Sequence, residues 1–408
     1  MNDSAKPGTT RATRYYALDG MRGWLSLVVA LGHLRFYGNF YDSELLYGMY
    51  MMIDYFFVLS GFVIAHSSLT RLGSWSHVYT FMIRRFGRVY PMHLLVLCAF
   101  LAMELLKLLV TKGQSATPPF SAPYTAESLP ANFLLLQSWN LFDTPTWNMP
   151  AWSISTEFYV YILFALSVFL LGKRLPYVAP LLIAGSTLVL YFNVQNGDAT
   201  YLWGGARCIA GFYCGYLLYL VDAPSKARVR ARISPTVFSV LELATVFGVA
   251  YFMHENGHTR WALLAPYIFT WVTWLFSFDA GVFSRALRIK PIQVLGEISF
   301  TTYIIHFFVW EQLERVLRMA EKRLGVDLFV VHGTWEDGSP AELFSIGSPA
   351  LMDVLAWLAV FSLAGIAWLI SRGIEMPILK WFQDVARKKD QQLRAARMPA
   401  AEAPVAPG

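Results

Sequence analysis

Apolar residues arrive in long, almost uninterrupted runs, at about 20–38, 46–68, 89–111, 152–172, 177–194, 201–221, 235–253, 261–280, 291–310 and 350–371. About 20 helical residues cross the roughly 30 Å of hydrocarbon in a bilayer. Barrel strands alternate in polarity over about ten residues, whereas these runs are continuously apolar, so they predict helices. The expectation is an all-α polytopic membrane protein of about ten transmembrane helices. Residues 1–19 precede the membrane domain, which covers 20–372. Residues 373–408 read as a basic, then Ala- and Pro-rich tail without fixed structure.

Two connections break the pattern. The segment 112–150 carries Pro118, Pro119, Pro123 and Pro130, which exclude a regular helix throughout. Its stretch Ala131–Trp139 is too short to span and is expected to dip into the bilayer. The segment 311–349 is polar with mixed charge, and no internal repeat is visible. The first 15 residues hold no apolar core, so no cleavable signal peptide is expected. Cys98, Cys208 and Cys214 lie in apolar runs without metal-ligand or disulfide spacing. They read as small core residues, and no metal site is expected.

Composition narrows the class. The 408 residues are 56% hydrophobic and 15% charged, against about 25% charged in soluble domains. That excludes a soluble enzyme and a disordered chain. The net charge of +6 would suit nucleic acid, but its distribution argues otherwise. With the N-terminus in the cytoplasm and sides alternating, 24 of the 33 Lys and Arg residues fall inside and seven outside. The positive-inside rule then places both termini in the cytoplasm. Most of these cations face anionic membrane lipid, and no nucleic-acid partner is expected.

Ionisable residues within spans are costly and therefore candidate functional groups. Arg22 and His33 are 11 residues apart, about three helical turns, so they share a face with His33 about 16 Å deeper. Ser153 and Glu157, at i and i+4, share a face of the fourth span. Counted from Trp152, Glu157 lies about 8 Å below the outer surface. At that depth it could pair with His33 and hold its tautomer. Asp54, Arg207 and His306 reach a similar level, which predicts a shared polar cavity; structural ion pairing is the alternative for Asp54 and Arg207. Arg84, Arg85 and Arg88 precede Pro91 at the inner start of the third span. Arginines at a helix N-terminus suit phosphate, and positive-inside topology would place them there as well.

These residues resemble acyltransferase family 3, the integral membrane O-acyltransferases that modify O-antigens, exopolysaccharides, periplasmic glucans, Nod factors and macrolides. The match runs through LDGMRGWLSLVVALGH (Leu18–His33), with its Arg-x10-His motif, DYFFVLSGFVI (Asp54–Ile64) and RRFGRVYP (Arg84–Pro91). It continues through ANFLLLQSW (Ala131–Trp139), PAWSISTEFYVY (Pro150–Tyr161) and LGEISFTTYIIHFFV (Leu295–Val309); RCIAGFYCGYLLY (Arg207–Tyr219) fits less specifically. Some relatives add a C-terminal SGNH-type esterase-like domain, and none is expected within these residues. The resemblance implies transfer of an acyl group, usually acetyl, from cytoplasmic acyl-CoA to a hydroxyl on the outer side, with no permanently bound cofactor. It implies a bacterial inner-membrane location.

On that reading Arg84, Arg85 and Arg88 hold the nucleotide phosphates. His33 is the general base, oriented by Glu157, or alternatively a transient acyl carrier. Arg22, Arg207, Ser153 and His306 are candidates to stabilise the oxyanion or shape the pocket. The expected acceptor is an envelope or exported saccharide, with a small secondary metabolite as the alternative. Trp139, Trp147, Trp152, Trp310 and Trp335 are candidates to stack on sugar rings, or to anchor at the membrane interface. A transporter or flippase of a lipid-linked saccharide is the competing class.

Overall fold

Local chemistry marks where several helices begin. At Ser234–Pro235 and Ser348–Pro349 the serine hydroxyl accepts the amide of Val237 or Leu351, each at 3.3 Å, and proline occupies the first helical position. The computed structural model describes residues 14–112, 117–334 and 340–395; Trp335 and the tail beyond 395 lie outside these. In chain order the helices are α1 (Tyr16–Gly32), α2 (Glu44–Tyr47), α3 (Met52–Ser68), α4 (Trp75–Thr111), α5 (Leu129–Phe133), α6 (Ala151–Leu171) and α7 (Leu175–Asn193). There follow α8 (Gly204–Arg232), α9 (Pro235–Asn256), α10 (Ala265–Phe276), α11 (Val282–Leu287) and α12 (Lys290–Leu324). A hairpin of β1 (Phe329–Thr334) and β2 (Pro340–Phe344) precedes α13 (Pro349–Ile370), a π turn (Ser371–Glu375) and α14 (Met376–Ala395).

The protein is a multi-pass, all-α membrane protein apart from that hairpin. Leu109, Phe192 and Phe247, each more than two-thirds exposed, face outward from the bundle, as lipid permits and water does not. Six helical stretches among the described residues are long and apolar enough to cross a bilayer, where the hydropathy pattern predicts ten spans. Two physical reasons account for most of the difference. The expected fourth and fifth spans merge into one stretch, Ala151–Asn193, that turns at Gly172. Meanwhile α1 and α10 have only 17 and 12 residues. Boundaries also shift: α4 starts at Trp75 rather than 89, and α8 and α12 run on to Arg232 and Leu324 through polar sequence.

Glycines set the closest helix contacts. A Cβ on Gly61 or Gly215 would stand 1.9 Å from the carbonyl oxygen of Phe212 or Val58, so α3 and α8 touch backbone to backbone. The same holds for α1 on α12, where a Cβ on Gly23 would meet the Gly296 nitrogen at 2.3 Å. Small residues of this kind let membrane helices approach without intervening side chains. The α1–α12 pair is parallel, since Arg22 reaches Gly296 and Ser299 while Trp310 reaches back to Ala30.

Between α3 and α8 sits a buried ion pair. Arg207 donates through Nε to Asp54 Oδ1 and Oδ2 at 3.1 and 3.2 Å and through Nη2 to Oδ2 at 2.8 Å. Its other donors reach Tyr50, Ala199 and Asp198.

The tail departs from expectation. Met376–Ala395 is helical because Ile378, Phe382, Ala386 and Asp390 recur at four-residue spacing and form one face against α4. Phe382 fills the space left by Gly87, and Asp390 pairs with Arg84. Cys98 also departs, standing exposed on the surface of α4, while Cys208 and Cys214 are core.

Two losses of stability are expected, each read as thermal unfolding in detergent. Gly215→Val overpacks the α3–α8 contact and costs about 1–3 kcal/mol. Asp54→Ala strands the Arg207 guanidinium and costs about 3–5 kcal/mol. Wild-type melting of either variant contradicts the packing described.

Candidate active site

The α1–α12 contact builds the centre of the site. Arg22 Nε donates to Ser299 Oγ at 3.0 Å, and Nη2 donates to the Gly296 carbonyl at 2.8 Å. Three turns on, His33 ends α1 with its Nδ1 2.9 Å from the Val29 carbonyl. A carbonyl only accepts, so Nδ1 carries the proton and Nε2 presents its lone pair. The His33 ring lies 5.0 Å from that of His306. His306 Nδ1 donates likewise to the Tyr303 carbonyl at 2.5 Å, and its Nε2 is buried without a partner.

Two cavities lie near this histidine pair, one lined by Tyr303, whose ring is 5.7 Å from that of His306, and the other by His33 itself. One, of about 160 Å³, opens among α1, α3, α4, α6 and α12 and is lined by Arg22, Arg85, Arg88, Ser60, Glu157 and Tyr303, among others. It lies at the basic end of the bundle, where α4 presents its arginines. Arg88 donates to Glu375 at 2.6 Å, and Glu375 also accepts from Thr301 and Ser371. The Arg85 guanidinium lies over the Phe81 and Tyr161 rings, and its buried Nε has no partner. Arg22 also stands 3.8 Å from Asp19, so Glu157, Glu375 and Asp19 offset the three guanidiniums, and the Arg85 Nε is the buried donor without a partner.

The other cavity, of about 960 Å³, lies toward the hairpin. His33 and Trp310 form part of its wall, with Tyr124, Phe36 and Phe344. Its cations are matched by carboxylates: Lys107 by Glu104 at 3.7 Å, Arg315 by Glu311 at 3.4 Å, and Arg318 by Glu314 and Glu342 at 2.9 and 2.8 Å. Arg35 reaches Glu314 at 3.5 Å.

The expected single level of ionisable groups resolves into three clusters. His33 and His306 pair with each other. Glu157 turns instead to Ser60, which donates to it, and to Tyr161 in the arginine-lined cavity. The depth count fails because the chain before α6 is already sunk among the helices. Leu135, Gln137 and Ser138 are buried, Asn148 Nδ2 donates to the Ile304 carbonyl at 2.9 Å, and Tyr303 donates to the Pro150 carbonyl at 2.9 Å. Glu157 therefore starts from a deeper origin than Trp152 at a membrane surface. Asp54 and Arg207 form the third cluster, the α3–α8 clamp, and line neither cavity.

Arg84 also differs from expectation. It points away from the cavity and ion-pairs with Asp390 of α14, leaving Arg85, Arg88 and Arg22 as the cationic lining. Ser153 stays at the site, its hydroxyl 2.8 Å from that of Tyr303. Sequence reasoning passes over Tyr303, Ser299, Ser60 and Tyr161. Tyr303 carries a signal, since it precedes His306 by three residues and so shares its helix face. Of the tryptophans, Trp147 and Trp310 spend their indole N–H groups inside the protein, on Ser128 and Ala30 at 2.9 and 2.8 Å. Trp152 is buried under the Arg207 guanidinium, and Trp139 bonds the Ser155 carbonyl at 3.4 Å.

Comparison with known proteins gives this arrangement a chemistry. Over 394 residues the chain is 26% identical to Acyltransferase MdmB of Streptomyces mycarofaciens, covering 91% of this chain and 93% of that protein. Over 318 residues it is 22% identical to O-acetyltransferase OatA of Staphylococcus aureus, covering 71% of this chain and 49% of that protein. It is also 31% identical over 151 residues to Protein 2 in picA locus of Rhizobium radiobacter, covering 32% of this chain and 76% of that protein. No solved structure matches. Residues 15–372 match the family described as an acyltransferase domain, which decides between enzyme and transporter, and the chain belongs to acyltransferase family 3.

Proposed function

We propose that this acyltransferase moves an acyl group, acetyl in the simplest case, from cytoplasmic acyl-CoA to a hydroxyl presented on the outer face of a bacterial inner membrane. In this reading the chain crosses the membrane about ten times, with both termini in the cytoplasm. The carrying observation is an arginine-lined cavity and a larger charge-balanced one linked by a short run of side chains: Tyr303 lines the first, His33 lines the second, and His306 lies 5.7 and 5.0 Å from their rings. The narrow cationic cavity suits an extended thioester arm, with Arg22, Arg85 and Arg88 drawing the anionic donor. Arg84, held by Asp390, supports α14. The OatA likeness supports oxygen as the accepting atom.

His33 acts as general base. Its Nε2 takes the hydroxyl proton as the oxygen attacks the thioester carbonyl, and the carbon–sulfur bond breaks to release CoA. Arg22, three turns along α1 from His33, belongs with the anionic end of the donor, and the Ser153 and Tyr303 hydroxyls, bonded to each other and to the Pro150 carbonyl, shape the cavity wall. Glu157 holds Ser60 and Tyr161 in the wall of the donor cavity. The acceptor is an envelope or exported saccharide. A compact secondary metabolite is the second reading, favoured by one observation: a cavity of about 960 Å³ whose cations are matched by carboxylates suits a small, weakly charged acceptor better than a polyanion.

Two measurements test this. Membranes with His33→Ala should transfer label from acetyl-CoA into base-labile ester at least about 100-fold more slowly than wild type; full transfer removes His33 from the mechanism. Arg85→Ala should weaken CoA binding by calorimetry about tenfold or more, the scale of one charge-assisted hydrogen bond. Unchanged affinity removes the donor assignment.

A further inference from the structure

The acids beside the arginine-lined cavity are held in different ways. Asp19 stands 3.8 Å from Arg22 and is 30% exposed, so water and salt screen it. Glu375 meets Arg88 at 2.6 Å and is only 3% exposed. Its Oε1 accepts from Arg88, and its Oε2 accepts from Thr301 and from the Ser371 hydroxyl at 2.8 Å, a set of donors that suits a carboxylate. Glu375 itself lines neither cavity, so it acts on the donor site through Arg88, which does line it.

The chain is shaped to bring this acid in. Pro377 has no N–H for the Gly373 carbonyl, and the helix opens into the π turn Ser371–Glu375 just before it. Turns of this kind recur at functional sites. Facing it, three consecutive residues of α12 complete the arrangement. Ser299 accepts from Arg22, the Phe300 ring lies 5.1 Å from the Arg88 guanidinium, and Thr301 donates to Glu375. Arg88 is thus fixed on two sides, whereas the buried Nε of Arg85 has no partner. Glu375 lies past residue 372, where the family match ends.

We infer that Glu375 is a positioning residue that limits donor affinity, an internal anion that holds Arg88 against the phosphates of acyl-CoA; this role rests on the acyl-CoA reading above. An approaching phosphate meets Arg88 and Glu375 as a pair whose charges largely cancel, while Arg85 acts as an open cation. Acyl-CoA and the product CoA carry the same phosphates. Tighter hold on those phosphates therefore strengthens substrate and product alike and does not speed acyl transfer.

Two opposing effects follow from removing the Glu375 charge. Arg88 loses an anchor, which weakens binding by about two- to tenfold, the cost of ordering one side chain. The site also gains a poorly screened positive charge, worth about 50-fold across roughly 7 Å at an effective dielectric of about 20. The charge effect is the larger, so the variant should bind donor more tightly.

The test compares wild type, Glu375→Gln and Arg85→Ala as purified full chains in nanodiscs. Calorimetry gives the affinity for CoA, displacement of labelled CoA gives that for pantetheine, the same arm without phosphates, and melting is followed with and without CoA. Glutamine can still accept from Arg88, and the Thr301 and Ser371 hydroxyls can turn to suit it. Glu375→Gln should bind CoA about tenfold more tightly than wild type, with pantetheine within about twofold. CoA should raise its melting temperature by more than that of wild type. Glu375→Met, also uncharged, should do the same if the glutamine variant does not fold.

Unchanged or weaker CoA binding by a folded Glu375 variant, where Arg85→Ala loses about tenfold, overturns this role and leaves the acyl-CoA reading standing. Equal tightening of pantetheine also overturns it, as a change of shape rather than charge. A wild type that does not bind CoA, or an Arg85→Ala that binds it as wild type does, overturns both.

Discussion

Everything at the centre of this protein hangs on how closely α1 lies against α12. At Gly20, Gly23 and Gly296 no Cβ can be added without striking backbone of the neighbouring segment. Two parallel helices at that separation are registered along their whole length. Arg22 is held on Ser299 at one end, and three turns on His33 comes to rest beside His306. The indole of Trp310 on the Ala30 carbonyl keeps the register from sliding. A looser contact would leave the same side chains present but unaligned, and alignment within fractions of an ångström is what acid–base chemistry requires.

Around this seam, buried polarity is divided by purpose. The Asp54–Arg207 pair is saturated: the guanidinium's donors are spent on carboxylates and carbonyls, so it joins α3 to α8 and offers nothing to a ligand. In the arginine-lined cavity Arg88 and Arg22 have Glu375 and Asp19 beside them, while the Arg85 Nε is unpartnered. The larger cavity near the hairpin is balanced internally by carboxylates on α4, α12 and β2. Low dielectric makes these differences matter, because in water all three would be screened to similar weak fields.

Much of this was legible in the chain itself, and the failures have physical causes. The apolar runs locate the helices, and the 11-residue spacing places Arg22 and His33 on one face, because both depend only on local helical geometry. His306 is recognisable as an ionisable group within an apolar run. Depth counted from the start of α6 misplaces Glu157, because the segment from Leu129 to Pro150 has already carried the chain inward. Arg84 reads as equivalent to Arg85 and Arg88 because helical spacing gives directions but not neighbours, and the neighbour that claims Arg84 lies 306 positions away. The tail reads as disordered by composition, yet a four-residue repeat of Ile378, Phe382 and Ala386 was enough to dock it once α4 offered Gly87.

That docking ties the C-terminal segment to the arginines of α4. Glu375, in the π turn that leads into α14, balances Arg88, and Asp390 on α14 balances Arg84. The apparent appendage therefore supplies counter-charge to the α4 arginines, of which Arg88 lines the cavity. A chain ended just before the π turn would keep its apolar helices while exposing two arginines stripped of their counter-charges. The boundary of the working unit thus lies at the last residue that neutralises an arginine, well beyond the last residue that meets lipid.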